Sequence, residues 1–394
     1  MQTSDSESPS VIWLDTNVIT GSPSMQHLIA SLSYFDVNNV SIKFICNQCL
    51  PTEQHRMLRT IRIPAFKPLR SLFFSLACNT RYRRFVSKSA KQALLHTTGA
   101  SSLTADLISV HFVPADWLWI AIRSAPTGWR EWVKLPAVAV AASLEFVQRK
   151  LSPGAVRHVV SRCLAQSLVS KGVPEELIHV IPTPYDHLRF SVTHRIQNRL
   201  AARDEYRFDD QQIVFSFVSQ GSYHRKGVVL AVEIVKKLRS LGHPVHLMLI
   251  GGRGRAWERM RKNLQTTYAN SSDWLHITGY VPDLAYALSA SDAFIMPSLY
   301  EGFAAVEVEA AAMGLPLLLT GHPGVEMILK EGVNGWKIDF DPDKAAAQIA
   351  TIIDQLRPHD VADVGEAITL DEWQRSMLEL YRTMWTRKTL SASV

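Results

Sequence analysis

The sequence predicts an α/β protein of two doubly wound domains, each a parallel sheet with helices on both faces. The first observation is that short apolar segments alternate with segments of helical spacing. The second is that glycines end the helical segments, as Gly242 does after 228–241 and Gly314 after 303–313. The third is the length of 394 residues, which suits two domains better than one. The apolar segments of the second half are read as strands 213–218, 245–250, 275–278, 293–296 and 317–319.

The first half shows the same alternation less clearly. Strands are predicted at 11–14, 40–46 and 107–112, with a helix at 25–35. A polar segment, 186–212, is interpreted as the linker, and an amphipathic helix is predicted at 371–385. The expected division is a disordered lead-in at 1–10, a first domain at 11–188, a second at 189–365, and a last segment at 366–394 that crosses back to the first domain.

Composition excludes several classes of protein. Hydrophobic residues make up 47% and charged residues 20%, which excludes disordered, collagen-like and coiled-coil chains. Four cysteines exclude a disulfide scaffold, and the CxxC of Cys46 and Cys49 is interpreted as ordinary thiols because no second pair accompanies it. No apolar segment reaches the roughly 18 residues of a membrane span, and the polar N-terminus is unlike a signal peptide. We therefore expect a cytoplasmic protein.

The net charge of +6 is unevenly distributed, because residues 54–105 contain no Asp or Glu. Aromatic side chains are interleaved with the cations, which suits an anionic partner: the phospholipid headgroups of the inner face of a membrane, contacted peripherally, or a phosphorylated acceptor. The alternative is a solvated face whose acidic partners lie elsewhere in the fold, and we expect no nucleic acid. The cations are Arg56, Arg59, Arg62, Lys67, Arg70, Arg81, Arg83, Arg84, Lys88 and Lys91, and the aromatics are Phe66, Phe73, Phe74, Tyr82 and Phe85.

A tryptophan cluster follows the predicted strand 107–112. The sequence leaves three roles open for this cluster: lining an acceptor groove, entering a bilayer interface, or packing in the core. Its members are Trp117, Trp119, Trp129 and Trp132.

Two carboxylates give the strongest chemical signal. Glu301 precedes a predicted helix and Glu309 lies within it, so both can face one ligand. A carboxylate accepts hydrogen bonds from two vicinal hydroxyls, as on a ribose or a hexose. The amides of Gly302, Phe303 and Ala304 lie at the positive end of the helix, where phosphate binds. Together these features indicate a sugar nucleotide, the alternative being an ordinary acidic first turn.

A second candidate site, 221–227, directly follows a predicted strand. Arg225 and Lys226 lie there before a helix, where Arg forks onto a diphosphate and Lys adds a point charge. The alternative is a solvated pair of cations at a turn.

These residues resemble the donor domain of family 4 glycosyltransferases, which have the GT-B fold. The likeness rests on Lys226-Gly227, the glycines at 251–254, the segments 279–283, 321–326 and 332–335, and the glutamate pattern of Glu301 and Glu309. It covers 161–381, with weaker cover before that. The implied fold is GT-B, two Rossmann-like domains facing across a cleft, with a C-terminal helix that returns to the first domain.

The resemblance implies a role for each matching residue. Glu309 would hold the ribose, Glu301 the donor sugar, and Lys226 with Arg225 the diphosphate. His111 would lie by the donor sugar and acceptor, its alternative being a packed histidine at a strand end. The remaining donor contacts would come from Gly221, Gly251, Val281 and the amides of Gly302, Phe303 and Ala304.

The implied activity is that of a retaining hexosyltransferase for surface glycan or glycolipid synthesis. Its donor would be a UDP-, GDP- or ADP-linked sugar and its acceptor a glycan or glycolipid, with no cofactor and no metal. The chain departs from the family where Gln220-Gly221 replaces Gly-Arg and where Thr183-Pro184 replaces Asn-Gly. These departures motivate the alternative, a non-catalytic subunit that binds sugar nucleotide on the same fold.

Overall fold

The computed structural model describes residues 8–19, 25–63, 70–124, 132 and 135–392. The chain forms two compact units. The first unit comprises Met1–Pro184 with Leu370–Val394, and the second comprises Tyr185–Thr369. The sequence-based divisions, at 188/189 and 365/366, lie four residues away from these. Residues 1–7 of the predicted lead-in, and Phe66, Lys67 and Trp129, lie outside the described residues, whereas Ser10 already belongs to the first strand.

The first unit is built on a seven-stranded parallel sheet. Its strands are β1 (Ser10–Leu14), β3 (Ser41–Cys46), β5 (Met57–Thr60), β6 (Leu94–Thr98), β7 (Leu107–Val110), β8 (Val156–Val159) and β9 (Ile178–Val180). Their order is β5-β3-β1-β6-β7-β8-β9, and β2 (Asn17–Val18) pairs separately with β4 (Gln48–Cys49). The order reverses at β1, where a doubly wound sheet changes direction.

Helices connect these strands. They are α1 (Gln26–Ala30), α2 (Leu32–Val37), α3 (Arg70–Asn79), α4 (Arg83–Gln92), α5 (Pro114–Arg123), α6 (Leu135–Leu151), α7 (Arg162–Ser170) and α14 (Leu370–Ala392). The last of these, α14, returns from the end of the chain and contacts α2 and β6. Its inner face buries Trp373, Met377 and Tyr381, and Gln374 donates a hydrogen bond to the Ser31 hydroxyl at 3.1 Å.

The second unit has a six-stranded parallel sheet in the order β12-β11-β10-β13-β14-β15. Its strands are β10 (Ile213–Val218), β11 (Val245–Ile250), β12 (Leu275–Gly279), β13 (Ala293–Met296), β14 (Leu317–Leu319) and β15 (Gly335–Lys337). Its helices are α8 (Val192–Glu205), α9 (Val228–Ser240), α10 (Gly254–Thr267), α11 (Leu284–Ser289), α12 (Ala305–Ala312) and α13 (Pro342–Ile352). The β10 and β11 side chains are all buried, as expected of central parallel strands.

The predicted α/β architecture is confirmed, and the five strands predicted for the second half lie where the apolar segments place them. The predicted helix 25–35 is instead two short helices separated at Ser31, whose hydroxyl donates to the His27 carbonyl oxygen. Strands β6 and β8 were not predicted, since His96, Arg157 and His158 interrupt their apolar pattern.

The interpretation of 186–212 as a linker is wrong for most of its length. Residues 192–205 form α8, which packs against α11. The helix was missed because its inner face carries arginines where an apolar stripe is expected. Arg195 is buried and donates to the Met313 carbonyl at 2.7 Å, and Arg203 is buried against Asp292 at 3.2 Å.

The acid-free segment 54–105 contains both paired and exposed cations. Arg56 pairs with Asp36 and with Glu53, so this arginine has the acidic partners that the alternative interpretation supposes. Arg59 lies over the Tyr82 and Phe85 rings at 5.4 and 5.3 Å. Exposed cations on and beside α4 are Arg81, Arg83, Arg84, Lys88 and Lys91. Across the described ranges, no helix is both long and apolar enough to cross a membrane.

Candidate active site

The candidate site lies where the strand order of the second unit reverses, between β10 and β13. Parallel strands leave a crevice at such a switch point, outside their carboxyl ends. The loop after β10 and the loop after β13 meet there, since the Leu299 amide donates to the Arg225 carbonyl at 2.8 Å. The topology therefore brings the two strongest sequence signals, at 221–227 and 297–309, to one edge of the sheet.

Close packing at Gly227 fixes the position of Lys226. Gly227 has φ of 75°, a left-handed conformation that favours glycine, and it precedes α9. A Cβ at Gly227 would lie 2.1 Å from the Pro297 carbonyl oxygen, so a larger residue would push the two loops apart. The backbone thus requires the glycine of the Lys-Gly pair, and the lysine supplies the charge.

Glu301 is a buried carboxylate held by two cations. Its Oε1 lies 2.8 Å from Arg225 and 3.1 Å from the Lys226 Nζ. Burial alone would raise the pKa of Glu301, but Lys226 and Arg225 outweigh it and hold the pKa below its ordinary value. Arg225 also donates to the Tyr300 carbonyl, so it spans the two loops. The carboxylate therefore stays ionised and orients both cations.

Glu309 lies on α12 with its side chain half-buried. Burial raises its pKa to about 7; Arg189 and Lys226 oppose this rise, whereas Asp186 adds to it. Its charge therefore changes near neutral pH. The two glutamates differ in their pKa values, because Glu301 forms salt bridges with Arg225 and Lys226 and Glu309 does not.

The start of α12 has no side-chain cap. The cap residue Ala304 has no side chain that accepts a hydrogen bond, so the first amides of the helix rely on other acceptors. Gly302 and Phe303 are buried just before it. Gly324, with φ of 85°, packs so closely that a Cβ would lie 2.2 Å from the Gly302 carbonyl oxygen. The loop of 302–304 is thus fixed by the turn after β14.

The other predicted donor contacts lie on the same edge. Gly221 follows β10, and its carbonyl accepts from the Ser219 hydroxyl at 2.6 Å. Gly251 follows β11 with φ of 102°, and a Cβ there would lie 2.6 Å from the Ser219 carbonyl oxygen. Val281 follows β12 and is half-buried. The three residues thus mark the carboxyl ends of three neighbouring strands.

A buried ion pair beside these residues was missed from the sequence. His322 Nε2 lies 3.0 Å from Glu307 Oε1, with both side chains inaccessible to solvent. Burial alone would lower the pKa of His322, but Glu307, the Pro323 carbonyl and Glu301 hold it above its ordinary value. The only available signal was a third acidic residue between Glu301 and Glu309, which helical spacing turns to a different face.

His111 belongs to the first unit, directly after β7. Burial lowers its pKa to about 3, and His158 and His27 add to the effect. Its ring lies edge-on to the His158 ring at 5.9 Å between centroids. His111 is therefore neutral, and a neutral imidazole both donates and accepts hydrogen bonds.

A chain of buried hydrogen bonds fixes the ring beside His111. His158 Nε2 donates to the Ile181 carbonyl at 3.0 Å, so His158 Nδ1 accepts from the Ser109 hydroxyl at 2.8 Å. Ser109 then accepts from His96 Nε2 at 2.8 Å, and His96 Nδ1 accepts from the Tyr381 hydroxyl at 3.0 Å. Every link is satisfied with both histidines neutral, which agrees with their lowered pKa values.

The CxxC residues are poor nucleophiles. Burial raises the pKa of Cys46 to about 12 and also raises that of Cys49. Within the described residues, no group of three or more His, Cys, Asp or Glu is placed to hold a metal ion.

A family model decides the nature of the second unit. Residues 198–363 match the model "Glycosyl transferases group 1". The second unit is a group 1 glycosyltransferase domain. The match spans the loops that carry Arg225, Lys226 and Glu301 and the helix that carries Glu309, so the candidate site belongs to the matched domain.

Two curated relatives of this glycosyltransferase domain are named for bacterial glycan synthesis. WcaL of Salmonella typhimurium, named for colanic acid biosynthesis, is 26% identical over 200 residues, covering 48% of this chain and 46% of WcaL. The amylovoran biosynthesis glycosyltransferase AmsK of Erwinia amylovora is 24% identical over 207 residues, covering 50% and 46%. The chain thus spans about half the length of these relatives.

A solved structure extends the likeness to both units. The chain is similar to Anabaena HepE, crystallised in complex with UDP and glucose, with a TM-score of 0.67 and 17% identity. The match covers 94% of this chain and 98% of HepE. The fold is GT-B, as the resemblance to glycosyltransferases predicts.

Proposed function

We propose that the protein is a retaining glycosyltransferase that moves a hexosyl group from a nucleotide diphosphate sugar to an acceptor hydroxyl in surface glycan or glycolipid synthesis. The observation that carries the proposal is the pairing of Glu301 with Arg225 and Lys226 at the switch point of a group 1 glycosyltransferase domain. The named roles of WcaL and AmsK, and the UDP and glucose bound to HepE, support the donor and pathway class.

The charges of the site suit a diphosphate. Arg225 and Lys226 carry two positive charges against the single carboxylate of Glu301, and the start of α12 adds a positive helix end. When the bond from the anomeric carbon to the phosphate oxygen breaks, negative charge grows on the diphosphate. Cations that are already oriented stabilise that charge without reorganising.

The carboxylates suit the two sugars of the donor. Glu309 would accept hydrogen bonds from the ribose hydroxyls, and Glu301 from hydroxyls of the transferred hexose. The acceptor oxygen would form the new bond to the anomeric carbon, and its proton would pass to the departing diphosphate. His111, neutral in the first unit, would donate to or accept from a sugar hydroxyl. Gly221, Gly251 and Val281 would supply backbone contacts to the nucleotide.

The test is a thermal-shift screen of UDP-, GDP- and ADP-linked sugars, followed by a transfer assay with the stabilising donor. A ligand that binds the native state raises the transition temperature by linkage. Stabilisation together with sugar transfer is expected. Stabilisation without turnover against any glycan or glycolipid acceptor would favour the non-catalytic subunit, which the replacement of the family's Gly-Arg by Gln220-Gly221 motivates.

We expect nucleotide affinity to rise with pH around the pKa of Glu309. Because that pKa is about 7, the ionised carboxylate that accepts from ribose hydroxyls is present above neutrality and is lost as the pH falls. Calorimetric titration of the donor nucleotide should show tighter binding at about pH 8 than at about pH 6. The Glu309→Gln variant should bind weakly and without this slope. An equal slope in both proteins would exclude Glu309 as its origin.

A further inference from the structure

The buried pair of His322 and Glu307 joins the turn after β14 to helix α12. Glu307 lies in the first turn of α12, and its amide donates to the Ala304 carbonyl at 3.0 Å. His322 Nε2 lies 3.0 Å from Glu307 Oε1. The turn that carries His322 also carries Gly324, which packs against the Gly302 carbonyl oxygen. The pair therefore adjoins the loop before α12 from both sides.

Both ring nitrogens of His322 face oxygen atoms that accept hydrogen bonds. Nδ1 lies 2.9 Å from the Pro323 carbonyl oxygen, and Nε2 faces the Glu307 carboxylate. A neutral imidazole carries one proton, whereas an imidazolium carries one on each nitrogen. Burial lowers the pKa of His322, but Glu307, the Pro323 carbonyl and Glu301 together raise it above its ordinary value. The ring is therefore positively charged.

The carboxylate of Glu307 opposes the binding of phosphate at the start of α12. The positive end of a helix attracts anions, but a carboxylate in the first turn repels a second anion there. Arg225 and Lys226 carry two positive charges, and Glu301 and Glu307 carry two negative charges, so these four charges cancel. The imidazolium of His322 leaves the five side chains with a net positive charge.

We propose that His322 is the counter-ion that neutralises Glu307 and thereby keeps the start of α12 attractive to the diphosphate of the donor. The proposal rests on the function proposed above, because it takes a nucleoside diphosphate to bind at this edge of the sheet. Both side chains are buried, so His322 acts through Glu307 as a positioning residue and does not touch the donor. It gives a role to a histidine and a glutamate that the sequence did not single out.

Calorimetric titration of the full chain with UDP, GDP and ADP tests the proposal through two variants that break the same ion pair. His322→Gln leaves Glu307 unneutralised, and the dissociation constant of the diphosphate should rise about tenfold or more. The titration is made at about pH 8, because an unpaired buried carboxylate takes up a proton at lower pH. Glu307→Gln removes the repelling charge, so its affinity should equal or exceed that of the wild type.

Three controls separate charge from structure. His322→Gln should bind uridine, guanosine and adenosine like the wild type, because nucleosides keep the base and ribose but lack the phosphates. The double variant His322→Gln with Glu307→Gln should recover most of the diphosphate affinity, since no unpaired carboxylate remains. His243→Gln changes a half-buried histidine just before β11, at the opposite edge of the sheet, and should bind UDP like the wild type.

The outcomes distinguish this inference from the proposed function. A wild-type protein that binds none of the three diphosphates would overturn both. Diphosphate binding by the wild type, with equal losses in the two single variants, would show that the pair only holds the turn and would overturn this inference alone. Full affinity in a folded His322→Gln protein would do the same. If His322→Gln does not fold, weaker binding by Glu307→Gln than by the wild type, or a neutral His322 ring in an NMR spectrum at about pH 7, still contradicts the role given to His322.

Discussion

Replacing Lys226 by methionine should lower the rate of sugar transfer by about 10² to 10³, or about 3 to 4 kcal/mol in the activation free energy. Lys226 Nζ lies 3.1 Å from Glu301 and 3.7 Å from the Met296 sulfur, so a methionine keeps much of the packing and removes only the charge. In the proposed mechanism, the lost charge is one of two that face the growing negative charge of the departing diphosphate. Its effect should therefore appear mainly in kcat.

The assay compares kcat and KM of the variant with those of Lys236→Met. Lys236 lies on α9 with its side chain 56% exposed, and its nearest acid, Glu233, is 3.9 Å away, so this control removes a lysine charge remote from the switch point. The Lys226→Met protein should fold, because Glu301 keeps Arg225 as a partner at 2.8 Å. A folded Lys226→Met protein with unchanged kcat would show that this lysine does not act on the leaving group.

The second unit could be predicted from the sequence because its strands are buried on both faces. Segments such as 213–218 and 245–250 are nearly continuous apolar stretches, and parallel topology places their carboxyl ends together. Arg225 and Lys226 follow strand 213–218, and Glu301 follows strand 293–296. The strand pattern therefore predicts that the three side chains lie near one another. The salt bridges of Glu301 cannot be predicted in this way, since the two loops meet where Gly227 packs against Pro297.

The first unit was harder to predict because polar residues lie inside its sheet. Strands β6 and β8 carry His96 and His158, which are buried only because Ser109 and Tyr381 complete their hydrogen bonds. Tyr381 lies 285 residues beyond His96, and no local pattern reveals such a partner. The ion pair of Glu307 and His322 could not be predicted for the same reason, because Glu307 lies on α12 and His322 lies on the turn after β14.

The largest expected effect on stability comes from removing the buried aspartate that binds the arginines of helix α8. Asp292 is buried and accepts hydrogen bonds from Arg203 at 3.2 Å, Arg199 at 2.5 Å and the Val214 amide at 2.8 Å. Asp292→Ala should therefore lower the free energy of unfolding of the second unit by about 3 to 5 kcal/mol, because it leaves the buried Arg203 guanidinium without its buried counter-charge. Chemical denaturation of the full chain should show an earlier transition.

The matched control is Asp273→Ala, which removes an aspartate that is 64% exposed and lies 3.1 Å from Arg239. An exposed pair contributes at most about 1 kcal/mol, so this variant should unfold almost like the wild type. Equal effects of Asp273→Ala and Asp292→Ala would contradict the proposed importance of burial.

Removing Asp292 and removing Arg203 should lower the free energy of unfolding by different amounts. Arg203→Met leaves Asp292 with Arg199 and the Val214 amide, so the aspartate keeps one cation and one backbone donor. Asp292→Ala leaves Arg203 with the carbonyls of Ala290, Asp209 and Gln212 and with Asp210, an exposed carboxylate 3.9 Å away. Removing a buried anion that holds two arginines should therefore destabilise the unit more than removing one of the arginines. The reverse order would show that the arginine's carbonyl contacts, rather than its ion pair, hold α8 on the sheet.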